Sequence, residues 1–256
     1  MKSVPLSLPW LTCPKPNPRA RLRLFCFPYA GGSSSAFRQW QDGLPLDVEI
    51  CPVLPPGRGG RLREAPFTRV GPLVAECAQA LMPFFDKPFA FFGHSMGAIV
   101  AFELARWLRR MGHSQPAILF VSGRRAPQVP DTISHTYNLP DADFIAELRR
   151  LNGTPKEVLE HPEIMALLLP LLRADFELIQ TYNYAPEPAL ACPIAAFGGL
   201  GDEVGSGACL EAWREQTTGR FSLHMLPGDH FFLHTARPLL LETMARRLNE
   251  SLESTV

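Results

Sequence analysis

Short apolar runs alternate along this chain with longer stretches whose apolar residues recur every three or four positions. The runs at 21–27, 48–54, 88–92, 117–122, 193–197 and 221–226 read as strands. They are short and nearly continuous in apolar residues, the pattern of strands buried on both faces. Helical periodicity covers 34–44, 70–85, 96–111, 207–217 and 234–248. In the third of these, Val100, Leu104, Trp107, Leu108 and Met111 share one face, and Gly112 ends the pattern. Strands alternating with helices predict a mostly parallel sheet with helices on both faces.

The alternation fails once. From about 131 to 188 there is no strand pattern. Helices are expected at 141–151, after the capping pattern Thr154-Pro155-Lys156-Glu157, and at 162–182. Pro170 falls inside the last and is expected to kink or split it. The segment is rich in apolar residues. We read it as a helical lid inserted into one domain spanning 1–256, in preference to ordinary helical packing.

Composition narrows the class. With 256 residues, 46% of them hydrophobic and 20% charged, the chain suits one globular domain with a sizeable core. A formal net charge of zero gives no reason to expect nucleic acid or an electrostatic membrane partner. No run is long and apolar enough to span a bilayer. Pro5, Ser7 and Pro9 interrupt the N-terminus, which makes a poor signal peptide. Cys13, Cys26, Cys51, Cys77, Cys192 and Cys209 form no C-x-x-C pair and are expected to be reduced thiols of a cytoplasmic protein. Of the 25 basic residues only Lys2, Lys15, Lys87 and Lys156 are lysine. That bias reflects either genome composition or phosphate recognition.

The chemistry centres on Gly93-His94-Ser95-Met96-Gly97, a G-x-S-x-G motif between an apolar strand and an amphipathic helix. That context marks a nucleophile elbow, which lifts the Ser95 hydroxyl above the sheet at a helix N-terminus. A serine needs a base, and the base an orienting carboxylate. In the chain order Ser, acid, His, two loops at strand ends qualify. Asp202 follows Phe197-Gly198-Gly199-Leu200-Gly201, and His230 follows Leu226-Pro227-Gly228-Asp229. Glu203 is the alternative acid and His234 the alternative base. His94 is expected to pack or point away, and Asp229 is too near His230 in sequence to orient it. For the oxyanion, the N–H of Met96 supplies one donor. The N–H of Ala30, in Phe27-Pro28-Tyr29-Ala30-Gly31-Gly32-Ser33, supplies the second; the same stretch also reads as a plain turn capped by Ser33 or Ser34.

These segments resemble the type II thioesterase family, the free-standing α/β-hydrolase thioesterases that accompany non-ribosomal peptide and polyketide synthases. Pro56-Gly57-Arg58, Ser122-Gly123-Arg124-Arg125-Ala126-Pro127, Leu169-Pro170-Leu171-Leu172-Arg173-Ala174-Asp175 and Pro227-Gly228-Asp229-His230-Phe231-Phe232 share in the resemblance, which runs from about 21 to 248. It implies the α/β-hydrolase fold and a monomer without metal or cofactor. It also implies hydrolysis of acyl thioesters on the 4′-phosphopantetheine arm of an acyl or peptidyl carrier protein. The family pattern places the nucleophile on Ser95, the acid on Asp202, the base on His230 and the oxyanion donors on Ala30 and Met96. One departure stands out. Gly59-Gly60 follows Arg58 where the family usually has an acidic residue, so a more flexible loop is expected there. Arg58, Arg61 and Arg63, and separately Arg124 with Arg125, are candidates to meet a carrier-protein helix or the pantetheine phosphate; the alternative is solvated charges with local partners.

Two other functions fit the same fold. A small-molecule carboxylesterase or lipase would use the same residues. A non-catalytic binding protein on this fold would have no need of all three.

Overall fold

The structure is a computed structural model that describes residues 10–13, 16–130, 135–151, 156–202, 205 and 207–253. The capping residues Thr154 and Pro155, the first residues of the expected lid at 131–134 and the alternative acid Glu203 lie outside them. Six strands, β1 (Leu22–Phe27), β2 (Val48–Pro52), β3 (Phe89–His94), β4 (Leu119–Ser122), β5 (Ile194–Gly199) and β6 (Phe221–Leu226), form one sheet in the order β2-β1-β3-β4-β5-β6. Every neighbouring pair is parallel. The strand order reverses between β1 and β3, the position where open α/β sheets leave a crevice beyond the strand C-termini.

Both faces of the sheet are covered, as the continuous apolar strands require. Phe25 and Phe27 of β1, Phe91 of β3 and Val121 of β4 pack with helices α1 (Val70–Leu81) and α2 (Met96–Arg110). The alternate residues Leu24, Cys26, Phe92 and Phe120 face the C-terminal helices α7 (Phe232–Thr235) and α8 (Arg237–Glu253). Each fully buried phenylalanine contributes about 1.5–3 kcal/mol. A third cluster belongs to the segment between β4 and β5. There α3 (Asp141–Arg150), α4 (Lys156–Leu159) and α5 (Pro162–Gln180) pack Phe144, Leu148, Leu159, Met165 and Leu172 together. The remaining helix, α6 (Gly207–Glu211), follows β5.

Several helical expectations are modified. The segment 70–85 divides into α1 and a 3-10 turn, Met82–Phe84, and 207–217 into α6 and a 3-10 stretch, Ala212–Gln216. The segment 34–44 is not one helix but two 3-10 turns, Ser34–Phe37 and Gln41–Gly43. Phe37 and Trp40, three residues apart, both pack edge-on against Phe92, and a spacing of three stacks on one side in a 3-10 turn. The C-terminal helix breaks at Ala236, because Pro238 lacks the N–H that would continue α7 and instead sits in the first turn of α8. Helix α5 runs through Pro170 without splitting. Pro170 and Ala166 are both exposed, so the carbonyl left without its helical partner faces water. Among the described residues no helix is long and apolar enough to cross a membrane.

Candidate active site

The elbow at the end of β3 is built on two glycines. A Cβ on Gly93 would stand 2.1 Å from the Gly97 carbonyl oxygen, and one on Gly97 would stand 2.2 Å from that of Phe27. Only hydrogen at both positions lets α2 leave the strand so sharply and so close to β1. The strain falls on Ser95, which has φ 54° and is the one non-glycine residue at positive φ among those described. Its N–H donates to Ser122 O at 2.8 Å, and its own carbonyl accepts from Ala98 N–H at 3.1 Å in the first turn of α2. The hydroxyl therefore sits half-buried at the C-terminal edge of the sheet, at the positive end of α2.

The loop after β1 and the elbow are in contact through the same Gly97–Phe27 approach. Met96 opens α2, so its N–H has no acceptor inside the helix. In the turn after β1, Gly32 N–H donates to Tyr29 O at 2.8 Å and Gly31 N–H donates to Asp175 Oδ2 at 2.7 Å. The N–H of Ala30, immediately before them, has no acceptor among the described residues. Ser33 does cap the following turn, accepting from Ser35 N–H, and this leaves the Ala30 N–H unengaged.

Asp202 and His230 meet because the loops after β5 and β6 run side by side. Leu200 N–H donates to Leu226 O and Gly201 N–H to Gly228 O, each at 2.8 Å. A side chain on Gly199 would stand 2.3 Å from Asp229 O. Asp202 is buried, and its Oδ2 lies 2.8 Å from His230 Nδ1. A carboxylate only accepts, so Nδ1 carries the proton and Nε2 keeps its lone pair for use as a base. The His230 ring reaches back to the elbow, 5.1 Å between centroids from His94, the residue beside Ser95. Among the described residues the Ser95 hydroxyl and the His230 imidazole are not hydrogen-bonded to each other; such bonds often tighten only with substrate in place.

The other histidines have different partners. His234 Nε2 lies 3.0 Å from the Tyr29 hydroxyl, and no carboxylate orients it among the described residues. His224, on β6, bonds the Ser222 hydroxyl. Asp229 shapes its own turn, accepting from Phe231 N–H at 2.8 Å. His94 packs inward, as expected, with Nδ1 2.9 Å from Ser122 Oγ. Burial, reinforced by repulsion from His230 and His234, holds its pKa well below the usual histidine value and keeps the ring neutral. A Cβ at Gly123, φ +60°, would stand 2.6 Å from that ring.

In the first arginine cluster the alternative of local partners holds for Arg58 and Arg61, except that the charges are buried and not solvated. Arg58 and Arg61 are buried and internally paired. Arg61 donates to Glu64 and to Leu54 O and lies over the Trp10 ring. Arg58 forms a two-pronged pair with Asp175, Nη2 to Oδ1 at 2.7 Å and Nη1 to Oδ2 at 3.0 Å. Only Arg63 of that cluster is exposed. Arg125 is also buried and donates to Pro130 O, while with Arg124 it lines a cavity of about 190 Å³ beside Ile99, one turn along α2 from Ser95. After Arg58, Gly59 adopts φ +54° and opens a 3-10 turn, Gly59–Arg61. Sequence reasoning gave Asp175 no role. A buried charge on an otherwise apolar helix face was the available signal.

Known proteins resemble this chain along most of its length. The thioesterase domain family matches residues 22–250. The gramicidin S biosynthesis protein GrsT of Aneurinibacillus migulanus is 47% identical over 93% of this chain and 93% of its own length. Linear gramicidin dehydrogenase LgrE of Brevibacillus parabrevis is 46% identical over 95% of this chain and 94% of its own; its name denotes redox chemistry, while the family matched here is the thioesterase one. The solved structure of the type II thioesterase BorB from the borrelidin biosynthetic cluster superposes with a TM-score of 0.85 at 36% identity, covering 93% of this chain and 97% of that one.

Proposed function

The chain belongs to the thioesterase family, as a type II thioesterase of the α/β-hydrolase fold, and from that premise we propose that Ser95, His230 and Asp202 hydrolyse acyl thioesters held on the 4′-phosphopantetheine arm of a carrier protein. The observation that carries the reading is the His230 Nδ1–Asp202 Oδ2 bond of 2.8 Å at the same sheet edge as the strained serine elbow. His230 Nε2 takes the Ser95 proton as the hydroxyl attacks the thioester carbonyl. The N–H groups of Ala30 and Met96 hold the developing oxyanion. The leaving group is a thiol, far more acidic than an alcohol or amine (about 8.5 for the cysteine reference), so it leaves more readily than either. Water, activated by the same imidazole, then frees the acyl group from Ser95. The products are a free acid and an unloaded arm, so the enzyme clears stalled or incorrect acyl groups from a peptide or polyketide assembly line. In this reading α3, α4 and α5 form the lid, and the protein works as a cytoplasmic monomer.

The test offers the purified protein an acyl-pantetheinyl carrier protein, an acyl-CoA and a simple oxygen ester, with Ser95→Ala as control. The reading expects the carrier-bound thioester to be preferred by kcat/KM and Ser95→Ala to lose that turnover. Preference for the oxygen ester would make the protein a carboxylesterase, and no turnover of any substrate would make it a binding protein.

A further inference from the structure

We propose that Arg58 and Asp175 are positioning residues that hold the Ala30 oxyanion donor in register and make its alignment depend on the seating of α5. The proposal rests on the assignment of Ala30 to the oxyanion site. Three separate pieces of chain meet here: the loop after β2 brings Arg58, the turn after β1 brings Gly31 and Gly32, and α5 brings Leu172 and Asp175. Leu172 and Asp175 are three residues apart and share a helix face. That face lies directly on the turn, since a Cβ on Gly31 would stand 2.5 Å from Leu172 Cδ2.

The hydrogen bonds form a clamp. Asp175 Oδ2 accepts from Gly31 N–H at 2.7 Å and from Arg58 Nη1 at 3.0 Å. Arg58 Nη1 also donates to Gly32 O at 3.1 Å. The Gly31 N–H belongs to the same peptide plane as the Ala30 carbonyl, so the clamp fixes the backbone immediately after Ala30. Gly31, at φ +73°, has no side chain that would otherwise restrict the turn. The Gly31 N–H is thereby consumed, while the N–H one residue earlier, the assigned oxyanion donor, keeps no acceptor among the described residues. An oxyanion donor acts through orientation fixed before the reaction, and small displacements are costly.

A purely structural role explains the pair less well. The two side chains are 4% and 2% exposed. A buried ion pair is a weak source of net stability, and apolar residues of similar volume often do as well or better. What apolar residues cannot do is grip the Gly31 N–H and the Gly32 carbonyl at once. The lid helix therefore carries a polar contact to the oxyanion turn as well as an apolar surface.

The experiment compares wild type with Asp175→Asn, Arg58→Lys and the double variant Arg58→Met/Asp175→Leu, which removes the charges together. For each, kcat and KM are measured on an acyl-pantetheinyl carrier protein, at a temperature below its own Tm. Binding is measured for two acyl-pantetheine analogues: a trifluoromethyl ketone, whose adduct with serine places an oxyanion in the site, and an amide, which does not. We expect kcat to fall about ten- to hundred-fold with KM nearly unchanged. Ketone affinity should fall in step with kcat/KM while amide affinity stays. The double variant should remain slow even where its Tm matches wild type. Wild-type kcat in the folded double variant or in Asp175→Asn, or equal losses for the two analogues, would overturn the proposal. Turnover surviving in Ser95→Ala would instead remove the assignment of the site on which it rests.

Discussion

Gly97 on α2 and Phe27 at the end of β1 touch so closely that a Cβ on the glycine would stand 2.2 Å from the Phe27 carbonyl oxygen. Through this contact the helix that carries the Met96 N–H is seated against the loop that carries the Ala30 N–H. Gly97→Ala must push the two apart, because the obstacle is backbone and not the end of a flexible side chain. We expect a loss of about 1–3 kcal/mol in stability, typical of overpacking a tight core. We also expect kcat to fall more than KM rises. Thermal unfolding and steady-state kinetics on the same preparation check both.

Asp202→Asn removes the carboxylate that fixes the His230 tautomer while leaving its shape. The amide can donate to Nδ1 and so favour a proton on Nε2, where a lone pair is needed. A loss of roughly 10³–10⁴-fold in kcat is expected, by analogy with the same substitution in serine proteases, with little change in KM. A loss below tenfold would show that another carboxylate orients the base.

His94 gives the fold a dependence on acid. Burial lowers its folded pKa, so in the window between that value and the unfolded value of about 6.5 the unfolded chain binds the proton that the native protein refuses. Stability is therefore full above about pH 6.5 and falls with acidification through that window, by up to about 1.4 kcal/mol per pH unit. His224 and His234 are shifted in the same direction, chiefly by burial, so the wild-type slope alone does not isolate His94. Denaturant unfolding of wild type and His94→Gln between pH 5 and 8 does so; the variant should show a shallower acid slope.

Pro170→Ala restores the helical N–H that α5 lacks in its middle. The site is exposed, so nothing packed is disturbed. A gain of about 1–3 kcal/mol is expected for the helix, less where unfolding of α3–α5 is separable from that of the sheet. Hydrogen exchange along α5 and the Tm of the whole protein measure it. An unchanged exchange pattern would mean that tertiary contacts, not the proline, limit this helix.

Much of this protein was legible in its residues one after another. The strand runs, the elbow at Gly93–Gly97 and the loops carrying Asp202 and His230 all stand in the local pattern, because strand burial and turn chemistry depend on near neighbours. The segment 34–44 misled, since its apolar spacing fits a helix while the docking of Phe37 and Trp40 onto Phe92 favours two tighter turns. The arginines were left undecided for a related reason. Charge in a sequence carries no sign of whether its partner lies 3 residues away, as Glu64 does for Arg61, or 117 away, as Asp175 does for Arg58.

The sequence by itself singled out Ser95, Asp202 and His230 and placed each just beyond the end of a strand. Parallel strands with continuous apolar faces and glycine-marked turns leave few other places for them. Only the tertiary structure decided that His230 pairs with Asp202, that His94 stays neutral inside, and that α5 reaches across to hold the turn after β1. Those relations depend on which distant segments are pressed together when the two faces of the sheet and the helical insertion bury their apolar surfaces, and apolar burial has no direction along the chain.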